Sequence, residues 1–256
     1  MGKTIDLNCD LGESFGHYKM GEDEQVLHYV TSANVACGFH AGDYNVMHKT
    51  VKIAAEKGVA IGAHPGLPDL AGFGRRYMEV SSDDVYNMIV YQINALKGFT
   101  HLYGTKLHHV KPHGALYNMA AKDPIIAEAI VNALKSTDES LILYGLANSE
   151  LVKTGKAAGL TVAEEVFADR TYEADGTLTP RNQEHAVIHD PKKAKEQALQ
   201  MAKMNTVTAV DGTEIPIQAD TLCVHGDGAQ ALSFVKELRQ LFMNEEIRLE
   251  TIGERR

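Results

Sequence analysis

The chain has no tryptophan, 7 prolines and 3 cysteines in 256 residues. Cys9, Cys37 and Cys223 are widely spaced and odd in number. A disulfide framework is therefore excluded as the organising device, and the three read as buried thiols beside strand ends. Basic runs are also missing. The 25 Lys and Arg stand against 34 Asp and Glu, a formal charge of −9. Neutralising phosphates needs a basic face, so sequence-independent nucleic-acid binding is excluded and a small polar substrate is expected. No apolar run approaches the ~20 residues of a membrane-spanning helix. The opening MGKTIDLNCD lacks the apolar core of a signal peptide, which predicts a cytoplasmic protein without a membrane partner.

Familiar ligand motifs are missing as well. There is no G-x-x-x-x-G-K-S/T loop and no G-x-G-x-x-G following a strand. There is no HxxxH or HxH pair, so any metal would need ligands from separate strands. The short run Gly72–Gly74, ahead of Arg75 and Arg76, is a low-specificity candidate for cradling an anion.

What is present is an ordinary globular composition, 44% hydrophobic and 23% charged, organised in repeating strand–loop–helix units. The stretch Ile5 to Glu13, IDLNCDLGE, reads as a strand with Asp10, Gly12 and Glu13 at its carboxyl end. A helix is expected over 22–31, a strand over 34–39 stopping at His40, and a helix over 44–57 capped by Asp43. A strand over 59–63 stops at His64. A long glycine-rich loop leads to a helix from Ser81 to about Leu102, and a strand over 106–110 runs into Lys111 and His113. Further helices are expected at 124–134 and 149–159, with strands at 141–146 and 160–167. The last of these delivers Glu165, Asp169 and Arg170. The segment 171–190 has no clear period and reads as an ordered excursion over a site. Pro191 opens a helix to about Met204, residues 206–217 read as a small hairpin, and a seventh strand over 221–224 ends at His225 and Asp227 before a helix to about Phe242. The last dozen residues are charged and expected to be loosely held. The pattern predicts one α/β domain over 1–256, a parallel β/α barrel of about seven units.

Parallel barrels work at the carboxyl ends of their strands. Four histidines there, 40, 64, 113 and 225, predict a shared polar pocket. Two chemistries suit it. A metal held by His and carboxylate ligands, with Asp10, His64 and His113 as candidates, would carry a water nucleophile. Alternatively, Asp10, His64, Lys111 and His113 would perform general acid–base hydrolysis of an amide. Asn8, Glu13, His40, Arg75, Arg76, Glu165, Asp169, Arg170, His225 and Asp227 would then contact substrate or stabilise charge. Lys111 has a plainer use, an ion pair with Glu165 or Asp10.

The segments DLNCDLGESFG, ANVACGFHAGD, GAHPGLPDLAGFGRR, YQINAL, VKPHGALYN, EVFADRTY and CVHGDG cover nearly the whole chain in this order. Together they resemble the LamB/YcsF family, which is identified with the A component of bacterial ATP-dependent 5-oxoprolinase. Gly228 and the pair Glu184–His185 depart from the family pattern in rim loops. The resemblance implies a distorted seven-stranded barrel like that of the glycoside hydrolase/deacetylase superfamily. It also implies ATP-coupled cleavage of 5-oxoproline to L-glutamate with two further subunits, ATP being a co-substrate sited on this chain or a partner. It places Asp10, His40, His64, Lys111, His113 and Asp169 at the working face. Two rivals stand beside it: a metal-dependent deacetylase or amidohydrolase that needs no ATP, and a non-catalytic lactam-binding subunit.

Overall fold

Strand β1, Thr4–Leu11, alternates Ile5, Leu7, Cys9 and Leu11 with Asp6, Asn8 and Asp10, and the two sets face opposite sides of the strand. Both sets are buried. In the computed structural model, which describes residues 2–226 and 231–253, the polar set points into a closed barrel and the apolar set packs on the surrounding helices. β1 is followed by β2 (Ser32–Ala36), β3 (Ala60–His64), β4 (Leu107–Val110), β5 (Ile142–Leu146) and β6 (Val162–Phe167). After the hairpin β7 (Thr206–Thr208) and β8 (Glu214–Pro216) come β9 (Thr221–His225) and β10 (Arg248–Leu249). Strands β1 to β6 pair in sequence order, β9 pairs with β6, and β9 also pairs with β1, all in parallel. That ring of seven strands is the barrel expected from the sequence.

The floor of the barrel is a buried carboxylate saturated by hydroxyls. Asp6 Oδ1 accepts from Thr31 and Ser32 at 2.6 Å each, and Oδ2 accepts from Thr221 at 2.5 Å and Tyr144 at 3.1 Å. Such complete pairing is what allows a charge to stay inside a dry core.

Among the described residues eight helices flank the strands: α1 (Asp23–Val26), α2 (Tyr44–Glu56), α3 (Ser82–Leu102), α4 (Gly114–Ala120), α5 (Pro124–Thr137), α6 (Glu150–Ala157), α7 (Pro191–Leu199) and α8 (Ala231–Asn244). Five start on a side-chain cap: Asp43, Ser81, Asp123, Ser149 and Asp190 accept from backbone N–H groups of their first turns, each worth about 1 kcal/mol. Helix α3 shows the burial logic, with Val85, Ile89, Ile93 and Leu96 buried at three- and four-residue spacing. Helix α7 runs on through a π-helical turn, Gln200–Met204, that ends at a left-handed Asn205.

Four expectations change. The helix expected over 22–31 shrinks to Asp23–Val26, because Thr31, just ahead of β2, is already tied to β1. Its N–H donates to Leu7 O, and its hydroxyl is 2.6 Å from Asp6. Strand β2 sits two residues earlier than expected, since Gly38 turns the chain at φ +89. Helix α4 has no counterpart in the sequence pattern. Finally, the described part of the tail is anchored: β10 adds to the edge of β1, and Ile247 and Ile252 are buried, while 254–256 lie outside the described residues. No helix among the described residues is long and apolar enough to cross a membrane, and the three cysteines are free and buried.

Candidate active site

Period two along β4 points His109 and Lys111 inward, and Lys111 continues past the strand end into the barrel mouth. Its ammonium is 2.8 Å from Asp10 Oδ1, 2.8 Å from Glu165 Oε1 and 3.0 Å from Cys223 Sγ. Burial opposes the charge on Lys111, but Asp10, Cys223 and Glu165 outweigh it and hold the ammonium well above its ordinary pKa. Burial likewise opposes ionisation of Asp10. His64 and Lys111 reverse this and keep the carboxyl well below the usual carboxylate range. Asp10 is a stable anion whose Oδ2 lies 3.4 Å from His64 Nε2.

Three imidazoles stack beside it. His64 Nδ1 is 2.7 Å from the Lys111 carbonyl, and His113 Nε2 is 2.8 Å from the Phe73 carbonyl. A carbonyl can only accept, so both of these nitrogens carry their hydrogens there. The remaining nitrogens, His64 Nε2 and His113 Nδ1, then face each other at 2.9 Å. Two bare lone pairs so close together make a site suited to taking up one proton or one cation. His40 stacks flat on His113 at 3.6 Å, with Nε2 3.5 Å from Glu13 Oε1 and neither ring nitrogen hydrogen-bonded. Burial pushes both His40 and His113 well below the ordinary histidine pKa. One ligand atom from each of Glu13, His40, His64 and His113 falls within 4.8 Å of the others.

The loop after β3 presses this stack into place. Gly74 has φ +63, and a Cβ there would stand 2.6 Å from His40 Cβ. Phe73, left-handed at φ 55, turns its carbonyl to His113 at a cost of about 1–3 kcal/mol of backbone strain. The glycines of Gly72–Gly74 are thus taken up by packing against Asp69, Arg76, His40 and His113, not by an open anion cradle.

The opposite wall is cationic. Arg170 donates to the carbonyls of Ala186 and Thr179, pinning the excursion over 171–190. Burial, helped by Arg181, lowers its pKa to about 10. Arg181 donates to His225 Nε2 at 2.8 Å, so His225 carries its hydrogen on Nδ1, 2.9 Å from Asp169 Oδ2. Between the walls is a cavity of about 40 Å³, lined by Asp10, His64, Lys111 and His113 together with Arg75, Arg170, Arg181 and His225. Its charged lining suits a small polar molecule.

The LamB/YcsF family pattern matches residues 5–256. The chain belongs to that family. It is 62% identical over 236 residues to the A component of 5-oxoprolinase from Halalkalibacterium halodurans, covering 92% of each chain. It superposes on the crystal structure of a lactam utilization protein from Thermus thermophilus with a TM-score of 0.90 at 42% identity, covering 96% of this chain and 99% of that one. The catalytic domain of a peptidoglycan N-acetylglucosamine deacetylase from Eubacterium rectale shares the fold at 10% identity, with a TM-score of 0.53 and coverage of 100% and 91%.

Within this family fold, the structure brings Asp10, His64, Lys111, His113, Arg75, Arg170 and His225 onto one cavity. Glu13 and His40 form the layer behind the imidazoles. Asn8 and Glu165 are fully buried beneath Lys111, and Asn8 Nδ2 donates to Glu165 Oε1 at 3.0 Å. Asp169 is behind His225, on a neighbouring cavity of about 250 Å³. Arg76 does not reach the pocket. Its Nε donates to Asp69 at 2.9 Å, and the side chain is 67% exposed. Asp227 lies outside the described residues. Arg181 and Tyr117 line the cavity without having been singled out. Tyr117 sits on helix α4, which the sequence pattern did not show, and Arg181 lies in the unpatterned excursion.

Proposed function

We propose that this chain is one subunit of an ATP-dependent 5-oxoprolinase, opening 5-oxoproline to L-glutamate together with two further subunits. One observation carries the reading: a carboxylate–imidazole cluster faces a guanidinium wall across a single small cavity. The first wall handles water and protons, and the second binds an anion. A five-membered lactam is unstrained and its amide carbon is a poor electrophile. Transfer of the ATP γ-phosphoryl group to the amide oxygen releases ADP and makes that carbon attackable; water adds, the C–N bond breaks as the amine takes a proton, and a second water hydrolyses the resulting acyl phosphate to L-glutamate and phosphate. In this chain Arg75, Arg170 and Arg181 hold the substrate carboxylate or phosphoryl oxygens. The facing lone pairs of His64 Nε2 and His113 Nδ1 take the proton from water, and Asp10, kept ionised by His64 and Lys111, lies beside them. The sequence carries neither familiar phosphate-cradling loop, so ATP is assigned to a partner chain. The relatives' name, which makes each of them one component of a larger enzyme, supports an assembly.

Turnover of 5-oxoproline should require ATP, this chain and its partners together. Hydrolysis by this chain alone without ATP would favour the deacetylase rival, and full turnover with this chain omitted would sink the reading.

The facing lone pairs favour a cofactor within the same function. His64, His113 and Glu13, with His40 behind, fit a borderline divalent ion. Both ring N–H groups are already spent on backbone carbonyls, as ligand histidines require, and His40 is buried without a hydrogen-bond partner. When bound, such an ion would lower the pKa of a water. Elemental analysis of protein purified without chelator should find about one zinc or similar ion per chain, and His64→Ala should lose it. Wild-type protein that neither contains nor takes up such an ion in titration calorimetry would leave a proton as the bridge.

A further inference from the structure

One layer of residues crosses four strands of the barrel. Asp10 on β1 is the register partner of Asn34 on β2, Asn34 of Gly62 on β3, and Gly62 of His109 on β4, after a register shift at Gly62. Gly62 contributes no side chain, and a Cβ there would collide with the His109 ring. The imidazole fills that space, stacks on Tyr144 at 4.1 Å, and reaches over β3 to place Nε2 2.7 Å from Asn34 Oδ1. Asn34 Nδ2 in turn lies 2.7 Å from Asn8 Oδ1 and 2.8 Å from Asp10 Oδ1.

The bonds that link Asp10, Asn34 and His109 have one consistent direction. An ionised carboxylate only accepts, so the Asn34 atom facing Asp10 is the amide nitrogen. Its carbonyl oxygen therefore faces His109, and Nε2 must carry the hydrogen. Turned over, Asn34 would set its oxygen against both Asp10 Oδ1 and Asn8 Oδ1, two repulsive contacts in a dry interior. With the amide locked, one oxygen of Asp10 is held by Asn34 and Lys111, and the other is left toward His64.

We propose that His109, acting through Asn34, is a positioning residue for Asp10. It never touches the cavity; it sets the amide whose hydrogen bond fixes the carboxylate. The inference rests on the role given to Asp10 above. A carboxylate free to swing by a fraction of an ångström loses its alignment with His64, and misplacements of about 1 Å cost on the order of 100-fold in rate.

The test uses the reconstituted assembly with ATP. His109→Phe keeps the ring packed on Tyr144 and removes the donor. His109→Met, slimmer and also without a donor, is the parallel variant, so the test does not depend on Phe fitting. His109→Gln offers an amide N–H toward Asn34. The donor-less variants should lower kcat about 10- to 100-fold with KM changed less than about threefold. His109→Gln should recover most of that loss, although all three melt alike. A Gln variant as slow as Phe and Met, with losses that follow the melting temperature, would make the role merely structural. Undiminished kcat in Phe and Met would overturn the proposal outright. Asp10→Asn separates the two levels: if it is inactive while the His109 variants are normal, only the positioning role falls, whereas an active Asp10→Asn removes the role of Asp10 itself.

Discussion

Asp10→Asn is expected to lower 5-oxoproline turnover by about 10³-fold while the protein still folds, in line with the 10²–10⁴ that positioned acid–base groups contribute. The substitution keeps the shape of the side chain. An amide oxygen can still accept from Asn34 and Lys111, both now 2.8 Å from Oδ1. What changes is the other atom. Oδ2 becomes an NH₂ aimed at His64 Nε2, 3.4 Å away, which occupies the lone pair that water needs and removes the negative charge beside it. Steady-state kinetics on the reconstituted assembly, with a melting curve to confirm folding, decides the matter. Turnover within threefold of wild type would mean that the carboxylate is only an anchor for its loop.

The largest stability effect is expected at Lys111. Its ammonium is the cation between Asp10 and Glu165, and all three groups are buried. Lys111→Met preserves the aliphatic stem but strands two carboxylates, and breaking a buried pair from one side costs about 3–5 kcal/mol. For a chain of this length that is a fall of roughly 6–20 °C in melting temperature. Adding Glu165→Gln to Lys111→Met should restore part of the loss, since one unpaired charge is then gone. Urea unfolding of the single and double variants measures both numbers. A cost below about 1 kcal/mol for Lys111→Met would show that water reaches the pair.

The architecture was largely legible because each β/α unit writes its own punctuation: Asp43 and Ser81 as helix caps, Gly58 as a stop, polar residues after each strand. Two things were not legible. Alternation in β1 divides Ile5, Leu7 and Cys9 from Asp6, Asn8 and Asp10, but it cannot say which set faces the barrel axis. Here the axis is polar and the helices take the apolar side. His109 was hidden for a related reason. Its partner depends on the missing side chain of Gly62, on another strand, and no local pattern reports an empty space. Arg75 and Arg76 are equivalent in sequence, yet the turn at Phe73 and Gly74 leaves Arg75 on the cavity and Arg76 with Asp69. The charged tail read as loose because its anchors, Ile247 and Ile252, are too few to make a period.

The first strand lies between β2 on one side and the last two strands, β9 and β10, on the other. Thr221 and Asp6, which share a hydrogen bond, are 215 positions apart. A chain emerging from the ribosome can therefore form β1 through β6 as an open, curled sheet whose edge strand carries Asp6, Asn8 and Asp10 still wet. The ring shuts only when β9 pairs with both β1 and β6, and until then the carboxylates that the closed barrel keeps dry face solvent along an open edge.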